Sequence, residues 1–141
     1  MDDASTAAED LSSTTHPREA AIRELELLLS SAEEVRASVR STEVRYRKAL
    51  KLLKEGIGVS VALDQVHAGS ARLSLTKTLA SFELARHRTR LALIAFGLEE
   101  GMTIGELGRS WGFSRQLASR YAKEARGQSG TSTPTSKESA A

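Results

Sequence analysis

The chain has no cysteine among its 141 residues, which excludes disulfides and thiolate metal sites. Aromatic residues make up only 4% of it, and its apolar content is mostly Leu, Ala and Val. That composition suits helices better than a β-sandwich. No apolar run approaches the length of a membrane span. The first ten residues, MDDASTAAED, are acidic and polar, unlike a secretory signal. A soluble, cytoplasmic protein without a membrane partner is the expectation. Catalytic signatures are missing too: there is no GxSxG, no glycine-rich phosphate loop and no spaced His/Asp/Glu set. Beyond the N-terminal stretch the one aspartate is Asp64, and His16, His67 and His87 have no evident partners. Asp64 and His67 are three apart, but two ligands do not make a metal site. The chain is therefore not expected to be an enzyme or to carry a cofactor or metal.

Charge is present but uneven. The net charge is +2, yet residues 1–17 hold four acids and no Lys or Arg, whereas residues 68–126 hold ten Lys/Arg against five acids. A basic C-terminal half fits an anionic partner. At this length there is room for one modest domain with an extension. Residues 1–16 read as a disordered acidic tail and residues 127–141, rich in Ser, Thr and Gly, as a second disordered tail.

Between the tails the pattern is helical throughout, so the expected fold class is all-α. Pro17 suits a first helical turn, and helical periodicity then persists to about Glu55, where Gly56 and Gly58 break it. A helix this long exceeds the usual length. Leu25, Leu28, Ala32, Val35, Val39, Thr42, Tyr46, Ala49 and Leu53 recur at spacings of three and four, a heptad register. This predicts a coiled-coil-like helix over 17–56 that makes a homodimer through Leu25, Leu28, Val35, Val39, Tyr46 and Leu53. Its polar face is acidic in the first half and basic in the second. Two antiparallel copies would thus pair opposite charges, whereas two parallel copies would gather positive charge at one end. Both orientations stay open.

Residues 57–126 read as a helical domain. Val59 or Ser60 opens a short helix with Val61, Leu63 and Val66 on its apolar side, and a longer one follows from about Ala71 to Glu100. Its middle, ARHRTR, brings Arg86, Arg88 and Arg90 close in sequence, either as a phosphate clamp or as a solvated face.

The stretch Thr103–Arg126, TIGELGRSWGFSRQLASRYAKEAR, carries the most specific signal. Thr103 and Glu106 form a capping box, Gly101 ends the preceding helix, and Ile104, Leu107 and Trp111 mark a buried face. Gly108 is small where two helices would cross, Gly112 permits a tight turn, and Phe113 anchors it. Ser114 can cap a second helix with Leu117, Ala118 and Tyr121 inward. Ser114, Arg115, Gln116, Ser119, Arg120 and Lys123 remain on the outside. This segment resembles the helix-turn-helix of bacterial transcription regulators, site-specific recombinases and sigma-factor region 4. Its one departure is Gly108, where alanine is commoner in that motif. The Ala- and Arg-rich usage is also similar to that of small helix-turn-helix proteins of actinobacteria.

The resemblance implies a dimeric protein that binds double-stranded DNA in the major groove, as a transcription regulator on the nucleoid. Arg115, Gln116 and Ser119 would meet base edges, since Arg matches guanine O6/N7 and Gln adenine N6/N7. Ser114, Arg120 and Lys123, with Arg86, Arg88 and Arg90, would hold phosphates. The two half-sites would lie one duplex turn apart, or a multiple of it. Two alternatives stand beside this reading. One is a nucleoid-associated protein of little sequence specificity. The other is an adaptor with a degenerate motif whose long helix docks on a protein such as RNA polymerase.

Overall fold

A computed structural model describes residues 16–127, and the two predicted tails otherwise lie outside the described residues. Five helices follow in order: α1 Pro17–Lys54, α2 Val59–Gln65, α3 Ala68–Glu99, α4 Ile104–Trp111 and α5 Arg115–Gly127. Among the described residues there is no strand. The all-α expectation and the long N-terminal helix are both observed.

Local chemistry sets the ends of α1. Pro17 occupies its first turn, where a missing N–H costs nothing, and His16 Nδ1 accepts from the Arg18 N–H at 3.1 Å. At the other end Gly56 takes a left-handed φ of 85°, and the Ile57 N–H reaches back to the Leu52 carbonyl. The short α2 then reverses the chain. Its apolar side differs from expectation: Ala62 and Val66 are buried, while Val61 and Leu63 are exposed. The next helix starts at Ala68, three residues earlier than its apolar pattern indicated.

Helices α1 and α3 form an antiparallel hairpin. Its direction is fixed by contacts that run in opposite order along the two helices. Arg18 lies over the Phe96 ring at 4.7 Å, the Thr89 hydroxyl reaches the Glu24 carbonyl, and Arg45 donates at 2.8 Å to the carbonyl of Val66, two residues before α3 begins. On α1 the covered positions run Ala21, Glu24, Leu28, Ser31, Val35, Ser38, Thr42, Arg45, Ala49 and Leu52, alternating at three and four. Small and polar side chains dominate this seam, so the helices are held largely by close backbone approach. Residue 56, drawn as a domain boundary, falls in the connection of this hairpin.

This register divides the expected dimer seam. Leu28 and Val35 turn toward α3, whereas Leu25, Val39, Tyr46 and Leu53 are exposed on the adjoining face. Thr89 is the one buried polar residue among those described; its hydroxyl lies 2.8 Å from the Ala85 carbonyl and 3.1 Å from that of Glu24. A Thr89→Val variant keeps the shape and removes this link. It should lose about 1 kcal/mol, read from the midpoint of urea unfolding.

The C-terminal half of α3 has a second packed face. There Leu91 and Ile94 meet Leu107 of α4 and Ala122 and Ala125 of α5, which form the buried apolar cluster. Gly97 permits the approach of α4, because a Cβ there would stand 2.7 Å from Leu107 Cδ2. Helix α3 is thus sandwiched between α1 and the α4–α5 pair.

Candidate nucleic-acid interface

Helix α4 begins where the capping box places it. Thr103 Oγ1 accepts from the Glu106 N–H at 3.1 Å, satisfying a donor that the first turn leaves free. The helix ends at Gly112, whose φ of 72° suits glycine and strains other residues. The Phe113 N–H then closes the turn on the Gly108 carbonyl at 2.8 Å. Ser114 Oγ accepts from the Leu117 N–H at 3.2 Å and caps α5. Its hydroxyl proton remains available to an anionic acceptor.

Side-chain size decides how α5 sits on α4. A Cβ at Gly108 would come within 3.2 Å of the Phe113 carbonyl oxygen and 3.3 Å of Ala118 Cβ. Ala118, Ala122 and Ala125 are buried, and Leu117 and Tyr121 are half-buried beside them. The opposite face carries Arg115, Gln116, Ser119, Arg120 and Lys123, all exposed. At 100° per residue these five fall within an arc of about 140°, so they line one surface. Among the described residues none of their side chains makes a hydrogen bond or ion pair. The single acid of α5, Glu124, is drawn toward α3, with Oε1 2.7 Å from His87 Nε2. The face is therefore cationic without an internal counter-charge.

Beneath it lies an aromatic layer. Trp111 stacks on Phe113 with ring centroids 5.6 Å apart, and Phe113 tilts against Tyr121 at 5.3 Å. Trp111 was expected inside, but it is 39% exposed, because its ring lies across Phe113 at the surface. The Arg90 guanidinium stands over Tyr121 at 4.9 Å and Phe113 at 5.6 Å, and donates to the Tyr121 hydroxyl at 3.2 Å. Its Nη1 also lies 3.4 Å from His87 Nδ1. A neutral His87 with its proton on Nε2 satisfies both neighbours, donating to Glu124 and accepting from Arg90.

The ARHRTR stretch consequently does not act as one cluster. Arg90 is engaged inside the chain and holds α5 against α3. Arg86 is exposed and paired with Glu83 at 2.7 Å. Arg88 is exposed as well, but points about 200° round the helix from Arg86. The His87–Glu124 and Arg90–Tyr121 contacts had no sequence expectation. Their signal was the spacing of 87, 91, 94 and 98, which puts His87 on the apolar stripe that receives α5.

Asp64 and His67 sit at the other end of the hairpin, and no metal-ligating group of three or more forms among the described residues. Among those residues no helix is long and apolar enough to cross a membrane. No protein-family model, curated protein or solved structure matches this chain.

Proposed function

We propose that the protein binds double-stranded DNA by inserting α5 into the major groove, and that it acts as a homodimeric transcription regulator on the nucleoid. One observation carries the reading. Helix α5 is a short helix capped at its start, held by a turn and an aromatic layer, whose free face gathers Arg115, Gln116, Ser119, Arg120 and Lys123. Rigid support matters here, since base readout needs side chains placed to within a fraction of an ångström.

Roles follow from position and chemistry. Arg115 and Gln116, in the first turn of α5, are suited to guanine and adenine edges, with Ser119 one turn on. Arg120 and Lys123 fit the phosphates beside the groove, and Ser114 can donate its hydroxyl proton to another. Arg86 and Arg88 are exposed and can add positive potential, whereas Arg90 supports the helix from behind.

The test is a mobility-shift titration of the full chain on mixed genomic fragments at two salt concentrations, with excess competitor. Retention of a few fragments is the expected result. Uniform, steeply salt-sensitive shifting would instead make it a nucleoid-coating protein. No shift at either salt would reject DNA as the ligand. On a retained fragment, Arg115→Ala should cost about 1–3 kcal/mol and relax discrimination at one base pair. Unchanged affinity and specificity in that variant would remove Arg115 from the groove.

A further inference from the structure

Helix α1 spends one face on α3 and leaves a second apolar stripe uncovered. Ile22, Leu25, Leu29, Val39, Tyr46, Leu50 and Leu53 are exposed, Leu29 at 66% and Tyr46 at 61%. These positions also alternate at three and four, completed by Ala32, Arg36 and Glu43, so they form a straight seam beside the one used within the chain. It runs from residue 22 to residue 53, roughly 45 Å at 1.5 Å per residue. A monomer does not ordinarily leave a stripe of this length uncovered.

The distribution of the stripe and of the charges beside it identifies what covers it. Apolar bulk lies at the two ends, and the middle carries Arg36 and Glu43, which are of opposite sign. Folded about a point between residues 37 and 38, the two ends of the stripe match in reverse, with Ile22 opposite Leu53, Leu25 opposite Leu50 and Leu29 opposite Tyr46, while Arg36 falls opposite Val39 and Glu43 opposite Ala32. The row flanking it reverses about a point one residue earlier, between residues 36 and 37. Glu19 falls opposite Lys54, Glu26 opposite Arg47 and Glu33 opposite Arg40. A parallel pair would set Arg36 against Arg36 and Glu43 against Glu43 on the seam itself.

We infer that this face is the contact between two copies of the chain, packed antiparallel about a two-fold axis near residues 37 and 38. The arrangement rests on the homodimer part of the function above and not on its DNA-binding part. It has one consequence for recognition. The α4–α5 pair is attached near the N-terminal end of α1, where Pro17 lines one hollow with Ala125 and Arg126. Two copies packed this way hold their recognition helices at opposite ends, roughly 50 Å apart along the axis at 1.5 Å per residue. That exceeds the 34–36 Å or so of one duplex turn. The dimer therefore reads widely spaced half-sites or two separate duplexes.

The absence of native cysteine makes the orientation directly measurable. A full-length Leu29→Cys/Tyr46→Cys variant alters two exposed positions, and circular dichroism checks that it keeps its helices. Within one chain the two thiols lie about 25 Å apart along α1, far beyond disulfide reach. Mild oxidation should convert this variant to a covalent dimer, while Leu29→Cys alone should stay uncrosslinked. Sedimentation of the unaltered chain should show a dimer. Crosslinking of the Leu29→Cys single variant would overturn the antiparallel packing, as would a dimer in which the double variant fails to crosslink. A chain that sediments as a monomer yet shifts DNA would overturn this contact and leave the recognition face standing.

Discussion

Replacing Ile94 by alanine is expected to remove about 2–5 kcal/mol of stability and to release α4 and α5 from the hairpin. Ile94 is 1% exposed and, with Leu91, is the largest side chain fully buried among the described residues. It lies where all three C-terminal helices meet, against Leu107, Ala122 and Ala125. Two of those neighbours are alanines, already at minimal side-chain volume, so they cannot repack into the space a lost isoleucine leaves. Elsewhere the hairpin seam holds mostly small and polar residues, and its larger apolar members Leu28, Val35 and Leu52 are only half-buried, so little other large apolar burial offsets the loss. For a domain whose total stability is of the order of 5–15 kcal/mol, a loss at the upper end is severe. Hydrogen exchange is the direct readout. Amides of α4 and α5 should lose protection before those in the middle of α1 and α3, because the cluster joins one pair of helices to the other. Ile94→Val, which deletes one methyl, should show the same order at about 0.5–1.5 kcal/mol. Equal loss of protection in both pairs would mean that the hairpin has no cohesion of its own.

The parts that sequence reading recovered are those governed by a few neighbouring residues. The start of α1 at Pro17, the Thr103 cap, the turn at Gly112 and the Ser114 cap all appear where local chemistry puts them. Each depends on one backbone angle or one hydrogen bond, and the side chain that supplies it lies within three residues. The free face of α5 follows by the same logic, since its buried alanines fix which side is outward.

Reading failed where two distant helices decide the outcome. On α1 the positions Leu28, Val35, Thr42 and Ala49 can share a seam with either of two neighbouring rows. Hydrophobicity favours the row of Leu25, Val39, Tyr46 and Leu53, but the chain uses Glu24, Ser31, Ser38, Arg45 and Leu52 against α3. Ser31 and Ser38 let the helix backbones approach, and Arg45 finds an acceptor in the Val66 carbonyl. Helical periodicity names the candidate faces without ranking them. The same limit explains Arg90. In sequence it is one of three clustered arginines, and only the docking of Tyr121 and Phe113 makes it a support for α5.

A valine at position 108 should separate recognition from the rest of the molecule. Gly108 lies where α4 crosses α5, with the Phe113 carbonyl oxygen and Ala118 Cβ at the limit of contact for any added Cβ. Alanine there sets two terms against each other. Removing a helical glycine favours α4 by about 1 kcal/mol, and a crowding of a few tenths of an ångström opposes it. Gly108→Ala should therefore change stability by less than about 1 kcal/mol. Valine adds two further methyls with no space to enter, and overpacking of this kind costs about 1–3 kcal/mol. Relief cannot come from a rotamer change, because the nearest obstacle is backbone. The turn at Phe113 must move instead, and it carries the first turn of α5 with Arg115 and Gln116. Base readout tolerates little displacement, so DNA affinity should fall at least tenfold in Gly108→Val, about 1.4 kcal/mol or more. The exposed stripe of α1 is far from this crossing, and self-association should be unchanged by sedimentation. Undiminished DNA binding by a folded Gly108→Val protein would show that the turn is not what positions the recognition face, and would move the search for that face to Arg86 and Arg88 on α3.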